Sequence, residues 1–176
     1  MRTRIIISLA LFAACVASGS ALCDETCYEL KGGQFADERY CVTSVRAPES
    51  DIKFGPENLL STGDGAWCST AEGNQVVTMY MKPAQLMRTI IITNGYAKSA
   101  ETFRQNGRVK RALLEADNGY KTMITIRDTA AAQRIVVEKG RYAWFRLRIL
   151  ESTRGTANAG VCLSAFLSNL EELNSN

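Results

Sequence analysis

The chain has 176 residues, with 21 Lys and Arg against 18 Asp and Glu and a formal charge of +3. Histidine is absent, which excludes a Ser-His-Asp triad, a Cys-His pair and every His-ligated metal site. The small net charge excludes an electrostatic case for nucleic acid or an anionic membrane surface.

Residues 1–21 read as a secretory signal peptide. Arg2 and Arg4 precede an apolar run from Ile5 to Val16, and Gly19 and Ala21 supply the small residues of a cleavage site. The run is too short for a membrane span. The rival reading is a lipoprotein signal with Cys15 as the lipidated residue, for which Phe12 is a poor fit. Without the leader, 19 basic residues face 18 acidic ones. No other apolar run is long enough to cross a bilayer. The mature protein is therefore expected outside the cytoplasm, secreted or periplasmic.

Residues 22–53 form a polar, Cys-containing N-terminal segment with Cys23, Cys27 and Cys41. In an exported chain disulfides are the natural reading. Cys27 with Cys41 closes a loop of about 15 residues, worth about 3 kcal/mol in the chain-entropy model. Cys23 with Cys41 is the alternative. The first pairing leaves Cys23 over, which allows a disulfide-linked dimer. A zinc site is a poor fit, since three thiolates lack a fourth partner.

From residue 75 onward the pattern is β. Residues 75–81 are rich in β-formers, and Pro83 is expected to end the strand. Residues 84–87 hold the one short stretch with a helical pattern. Residues 88–93 are an apolar run, as for a strand buried on both faces. Two Asn-Gly pairs, Asn94-Gly95 and Asn106-Gly107, then bracket a polar loop holding Tyr96 and Phe103. Glycine after asparagine supplies positive φ cheaply, so each pair marks a loop corner. Residues 108–116 and 120–127 flank Asp117-Asn118-Gly119, a hairpin signal that fits a type I′ turn.

Residues 135–138 form another strand. Over 142–150, Ala143, Phe145, Leu147 and Ile149 share the core face. Tyr142, Trp144, Arg146 and Arg148 share the other. The last strand runs over 160–167, before a polar tail at 169–176. Many short strands with turn signals predict an all-β sandwich. No pair of carboxylates stands in a catalytic setting, so neither an enzyme activity nor a cofactor is expected.

The stretch NGYAKSAETFRQNGRVK, residues 94–110, resembles the central motif of discoidin-like (galactose-binding-like) domains, in particular the NADase-type glycan-binding subfamily. Its flanking counterparts are Asn58-Leu59-Leu60-Ser61-Thr62, Ala66-Trp67-Cys68 and Cys162-Leu163-Ser164-Ala165. The resemblance covers residues 54–168 and implies a discoidin-type jelly roll there. It implies a Cys68–Cys162 disulfide, closing a loop of about 95 residues worth about 4–5 kcal/mol. It also implies a ligand site in the loops at one end of the sandwich. The subfamily takes its name from domains attached to NAD-cleaving toxins. At 176 residues there is no room for such a catalytic domain, so no NAD-cleaving activity is expected.

Sugar recognition stacks an apolar sugar face on an aromatic ring and bonds the hydroxyls with fixed polar groups. The ligand-binding candidates are Asp64 and Trp67 in one loop, and Tyr96, Phe103, Arg104, Asn106 and Arg108 in or beside the other. Six of them have a plainer role. Trp67 beside a disulfide is a core plug, Tyr96 and Phe103 pack their loop, and Asn106 serves turn geometry. Arg104 and Arg108, with Lys110 and Arg111, form a solvated strand edge. A glycan or glycoconjugate is the expected partner, and a protein partner docked through the same loops is the alternative.

Many galactose-binding-like domains hold a structural calcium, which needs six or more oxygen ligands. Here Ser61 and Ala165 stand where the resemblance implies acids, so no calcium is expected. EDTA should leave the melting temperature unchanged in a thermal scan. A fall of several degrees would place a metal in the fold.

Overall fold

The computed structural model describes residues 25–33, 36–60, 64–70 and 74–169. The leader, Cys15, Cys23 and residues 170–176 lie outside that range. In chain order the elements are β1 (Thr26–Leu30), β2 (Asp37–Val42), a 3-10 turn (Pro56–Leu60), β3 (Trp67–Cys68) and β4 (Val76–Asn94). They continue with α1 (Ala100–Gln105), β5 (Gly107–Ala116), β6 (Lys121–Thr125), β7 (Gln133–Thr153) and β8 (Val161–Ser168).

The strands follow the order β1-β2-β4-β7-β5-β8-β3, with β6 on β5 and a further pairing of β4 with β8. Two long strands serve both layers of the sandwich. Residues 76–80 of β4 pair with β2 and with residues 144–148 of β7. Residues 90–94 pair with β8 in place of β2, while residues 89–92 still pair with residues 133–136 of β7. Between the layers lies one apolar core, including Val77, Met79, Ile90, Ile92, Leu114, Phe145, Leu147 and Phe166. Alternation within each strand turns these residues inward, and the irregularities in β4 move its inward set from Val77 and Met79 to Ile90 and Ile92. This is the jelly-roll sandwich the sequence predicts.

Several local expectations change. Pro83 does not end its strand. The β4–β7 ladder shifts register between Tyr80 and Gln85, so proline sits in an irregular stretch where its missing N–H forfeits no ladder bond. Residues 84–87 are strand rather than helix, with Gln85, Leu86 and Met87 opposite Tyr142, Arg141 and Gly140. The two strands expected over 135–150 are one, β7. Tyr142, expected on the open face, is fully buried against Phe145, with ring centroids 4.5 Å apart. The sheet also begins inside the N-terminal segment, because β1 and β2 pair with each other and β2 pairs with β4. Asn169, at the head of the expected polar tail, is buried.

The β5–β6 hairpin forms, but with another turn. Of its loop residues only Gly119 has positive φ, at 84°. The Gly119 N–H donates to Ala116 O at 3.2 Å, and Ala116 N–H donates to Tyr120 O at 2.9 Å. That is a type I turn closed by a left-handed glycine, the three-residue hairpin, rather than type I′ with two positive φ values.

Two disulfides are present, Cys27–Cys41 and Cys68–Cys162. Each joins residues directly opposite on antiparallel neighbours, β1 to β2 and β3 to β8. Their loops, with sequence separations of 14 and 94, are worth about 3 and about 4.7 kcal/mol by loop-closure entropy.

Close backbone packing fixes the end of the sandwich where β3, β5 and β8 meet. A Cβ on Gly107 would lie 2.6 Å from Gly160 O, and one on Gly160 would collide with Ser69 O. The Ser69 N–H donates to Val161 O at 2.9 Å, and Val161 N–H returns a bond to Ser69 Oγ at 3.0 Å. Neither carbonyl can retreat without breaking these bonds. Gly160→Ala is therefore expected to destabilise the fold by about 1–3 kcal/mol, read as a lower urea midpoint with unchanged slope.

Candidate functional site

The loop after β4 is built from short polar contacts. Gly95 takes φ 67°, and a Cβ there would meet the Phe103 ring and the Arg108 side chain at 2.8 Å. Ser99 caps α1 by accepting the Thr102 N–H at 3.1 Å, and Thr102 Oγ1 accepts the Ser99 N–H at 2.9 Å. Thr102 Oγ1 also donates to Tyr96 O at 3.0 Å. This reciprocal cap satisfies two orphan backbone donors of a helix too short to stand alone. Ser164 on β8 holds the loop's root. Its hydroxyl donates to Gly95 O and accepts from the Ala97 N–H, at 3.0 and 2.9 Å.

Neither Asn-Gly pair is a simple turn. Asn94 is fully buried. Its Oδ1 accepts the Val109 N–H at 2.9 Å, and its Nδ2 donates to Val109 O at 2.8 Å and Arg127 O at 3.1 Å. It locks the end of β4 to β5. Asn106 is 3 % exposed and caps the C-terminus of α1. Its Nδ2 donates to Thr102 O at 2.8 Å, while its Oδ1 accepts Arg46 Nη1 at 2.6 Å and Asn158 Nδ2 at 3.1 Å.

These contacts shape a pocket of about 250 Å3. Arg46, Phe54, Tyr96 and Asn106 line it together with Glu49, Lys98 and Asn158. The Arg46 guanidinium lies 3.8 Å from the centre of the Phe54 ring. Tyr96 meets the same ring edge-on, with centroids 6.1 Å apart. Burial pushes the Arg46 pKa down from its ordinary value, and the nearby Glu49 and Tyr96 oppose the shift. An arginine titrates so high that it stays charged. The pocket thus offers a fixed cation and amide groups, backed by two buried aromatic rings.

Of the seven sequence candidates, the structure brings only Tyr96 and Asn106 into this pocket. Trp67 is fully buried, so its ring offers no platform for a ligand. Its indole N–H donates to Ser44 O at 2.9 Å, which anchors the chain two residues before Arg46. Phe103 is half-buried beneath Arg108, whose guanidinium lies 5.2 Å from its ring centre. Arg108 is held by Asp128 at 2.8 Å and by two backbone carbonyls. Arg104 is exposed and paired with Glu101. Lys110 and Arg111 both pair with Glu151. Every cation of this cluster has a carboxylate partner, consistent with the solvated strand edge expected there. Asp64 is exposed and does not line the pocket.

Sequence reasoning missed Arg46, Phe54, Glu49 and Asn158. They lie in the connections after β2 and before β8, 60 residues and 52 residues from Asn106 for the two that bond it. A lone arginine in a polar loop carries no local signal. The calcium expectation has a structural counterpart. Asn58 Nδ2 donates to Lys53 O at 2.8 Å and to Ala66 O at 3.2 Å, so an amide engages carbonyls of that loop, and Ala165 offers no side-chain ligand. Ser61, the other position where the resemblance implies an acid, lies outside the described residues.

A larger concavity, about 550 Å3, lies between the β1–β2 hairpin and the open face of β7. It lies away from the loop end where Asn106 fixes a cation, and its rings, like Phe54, lie under arginines. Arg39 lies over Tyr80 at 4.5 Å, and Arg146 lies over Trp144 at 5.2 Å. The smaller pocket is the better ligand site.

Residues 34–167 match the family model described as the NAD glycohydrolase translocation F5/8 type C domain. No curated protein sequence matches the chain. Among solved structures, the family 32 carbohydrate-binding module of Clostridium perfringens NanJ, in complex with galactose, is similar with a TM-score of 0.55 and 12% identity. The match covers 74% of this chain and 92% of that one. The module CpGH89CBM32-5 from Clostridium perfringens, in complex with GalNAc-β-1,3-galactose, gives 0.57 and 11%, over 74% and 94% of the two chains. The family 32 module of Streptococcus pneumoniae EndoD gives 0.54 and 14%, over the same shares. At these identities the likeness establishes the fold.

Asn106→Ala is expected to lower stability by about 1–3 kcal/mol, because it leaves buried polar groups unpaired. The same variant should loosen the Arg46 and Asn158 loops. Faster amide exchange around residues 44–49 and 156–160 in hydrogen-exchange measurements would report it.

Proposed function

This chain belongs to the NAD glycohydrolase translocation F5/8 type C domain family, and we propose that it is an exported, non-catalytic glycan-binding module. The observation that carries this reading is the pocket in which Arg46, fixed by Asn106, faces two aromatic rings. Its volume suits one sugar ring, below the roughly 300–1,000 Å3 of sites for drug-sized ligands. Convergent fixed polar groups in a concavity are what the hydroxyls of a sugar need. The galactose and GalNAc-β-1,3-galactose held by two of the similar modules support the same class of ligand here.

Export is supported by the leader-like residues 1–21 and by two disulfides that an oxidising compartment maintains. Among the described residues no helix is long and apolar enough to cross a membrane. A catalytic role finds no support, since histidine is absent and the pocket holds a single carboxylate, Glu49.

The test is a glycan-array screen of the oxidised protein, followed by titration calorimetry on the best ligand. Saturable binding to a related set of glycans is expected. Arg46→Gln should weaken it about tenfold or more, the worth of a charge-assisted hydrogen bond. Arg104→Ala, outside the pocket, should leave the affinity unchanged. An array without binding would overturn the reading and favour a protein partner docked on the same loops.

A further inference from the structure

Arg46 sits deep in the pocket wall, its side chain 14% exposed. Its face packs on Phe54, and its Nη1 is bonded to Asn106 at 2.6 Å. The Nε side differs. The Nε atom is buried and makes no hydrogen bond. The nearest carboxylate is Glu49 Oε1 at 3.5 Å, within ionic reach but beyond a good N–H···O bond. The Glu49 side chain is itself 59% exposed and hangs from a loop at the rim. A buried, charged donor with an unmade bond is costly, and a guanidinium is best satisfied by a carboxylate in its own plane.

The rest of the pocket points the same way. Among the described lining residues the charged groups are Arg46, Lys98 and Glu49, two cations to one anion. If Glu49 turns out into solvent, both cations face the ligand alone. A displaced surface carboxylate loses little, because exposed ion pairs are worth about 0–1 kcal/mol.

We infer that the pocket selects an acidic sugar, a hexuronic acid residue of a glycan, whose carboxylate takes the Arg46 Nε side in place of Glu49. This rests on the glycan-binding reading of the same pocket and adds the charge of its ligand. Glu49 then acts as an internal stand-in that an acidic ligand must displace. The pocket's size matches one six-membered ring with its carboxylate at Arg46.

The experiment titrates the oxidised full chain, by calorimetry and by amide chemical shifts, with methyl glucuronide, galacturonide and mannuronide. Each is compared with its neutral methyl hexoside. At least one uronide should bind about tenfold more tightly than its neutral partner, and the advantage should shrink as salt rises. Glu49→Gln should raise uronide affinity severalfold while leaving the neutral sugar unchanged. Because Glu49 is exposed, this variant keeps the fold. Equal or tighter binding of every neutral sugar would overturn the inference, as would a Glu49→Gln variant that binds uronides less well. Array binding confined to neutral glycans would overturn it while the glycan-binding reading stands. Silence on the array and in every titration would remove that reading itself.

Discussion

The Cys68–Cys162 bridge is the constraint on which the site depends. Both half-cystines are fully buried, in a small apolar cluster with Phe54, Ala66 and Tyr96. Their backbones reach three separate segments. Cys68 O accepts the Arg46 N–H at 2.8 Å, Cys68 N–H donates to Phe54 O at 3.1 Å, and Cys162 O accepts the Gly95 N–H at 3.0 Å. One covalent link therefore sets the positions of the cation, one ring and the root of the loop carrying the other. Pre-set geometry of this kind lets a shallow site bind without first ordering its own walls.

The layers around that link explain why the site stands at one end of the sandwich. β4 and β7 run through both layers, so the connections at their ends converge. The loop after β4 carries Tyr96 and Asn106, the connection after β7 carries Asn158, and the connection after β2 brings Arg46. Rigid strands hold loops, and loops hold chemistry. Trp67 illustrates the division. A large ring in a prominent motif looks like a binding platform, yet its burial and its bond to Ser44 make it a support for the arginine that lines the pocket.

Much of the fold was legible in the residues. Alternation marked β6 and the second half of β7, and the Asn118-Gly119 pair marked the hairpin of β5 and β6, though a single left-handed glycine changed its turn type. The long strands were not legible as wholes. Pro83 and Gly140 interrupt the pattern, and only pairing across an irregular ladder shows that the chain runs on. α1 escaped because six residues are too few for a helical period, although the Ser99 and Thr102 cap was there to be read. Half of the pocket was legible for a similar reason. Tyr96 and Asn106 belong to one continuous motif, whereas Arg46 and Phe54 reach them only through long-range folding.

The two ends of the strand order, β1 and β3, are each clasped covalently to the strand beside them. Open strand edges are where one molecule begins to pair with the next, and exchange of a terminal strand between copies is a low-cost route to tangled dimers. Here a terminal strand that leaves its neighbour must first break a sulfur–sulfur bond. The Cys68–Cys162 bridge that shapes the pocket thus also holds a terminal strand in place, and a reducing environment would remove both properties together.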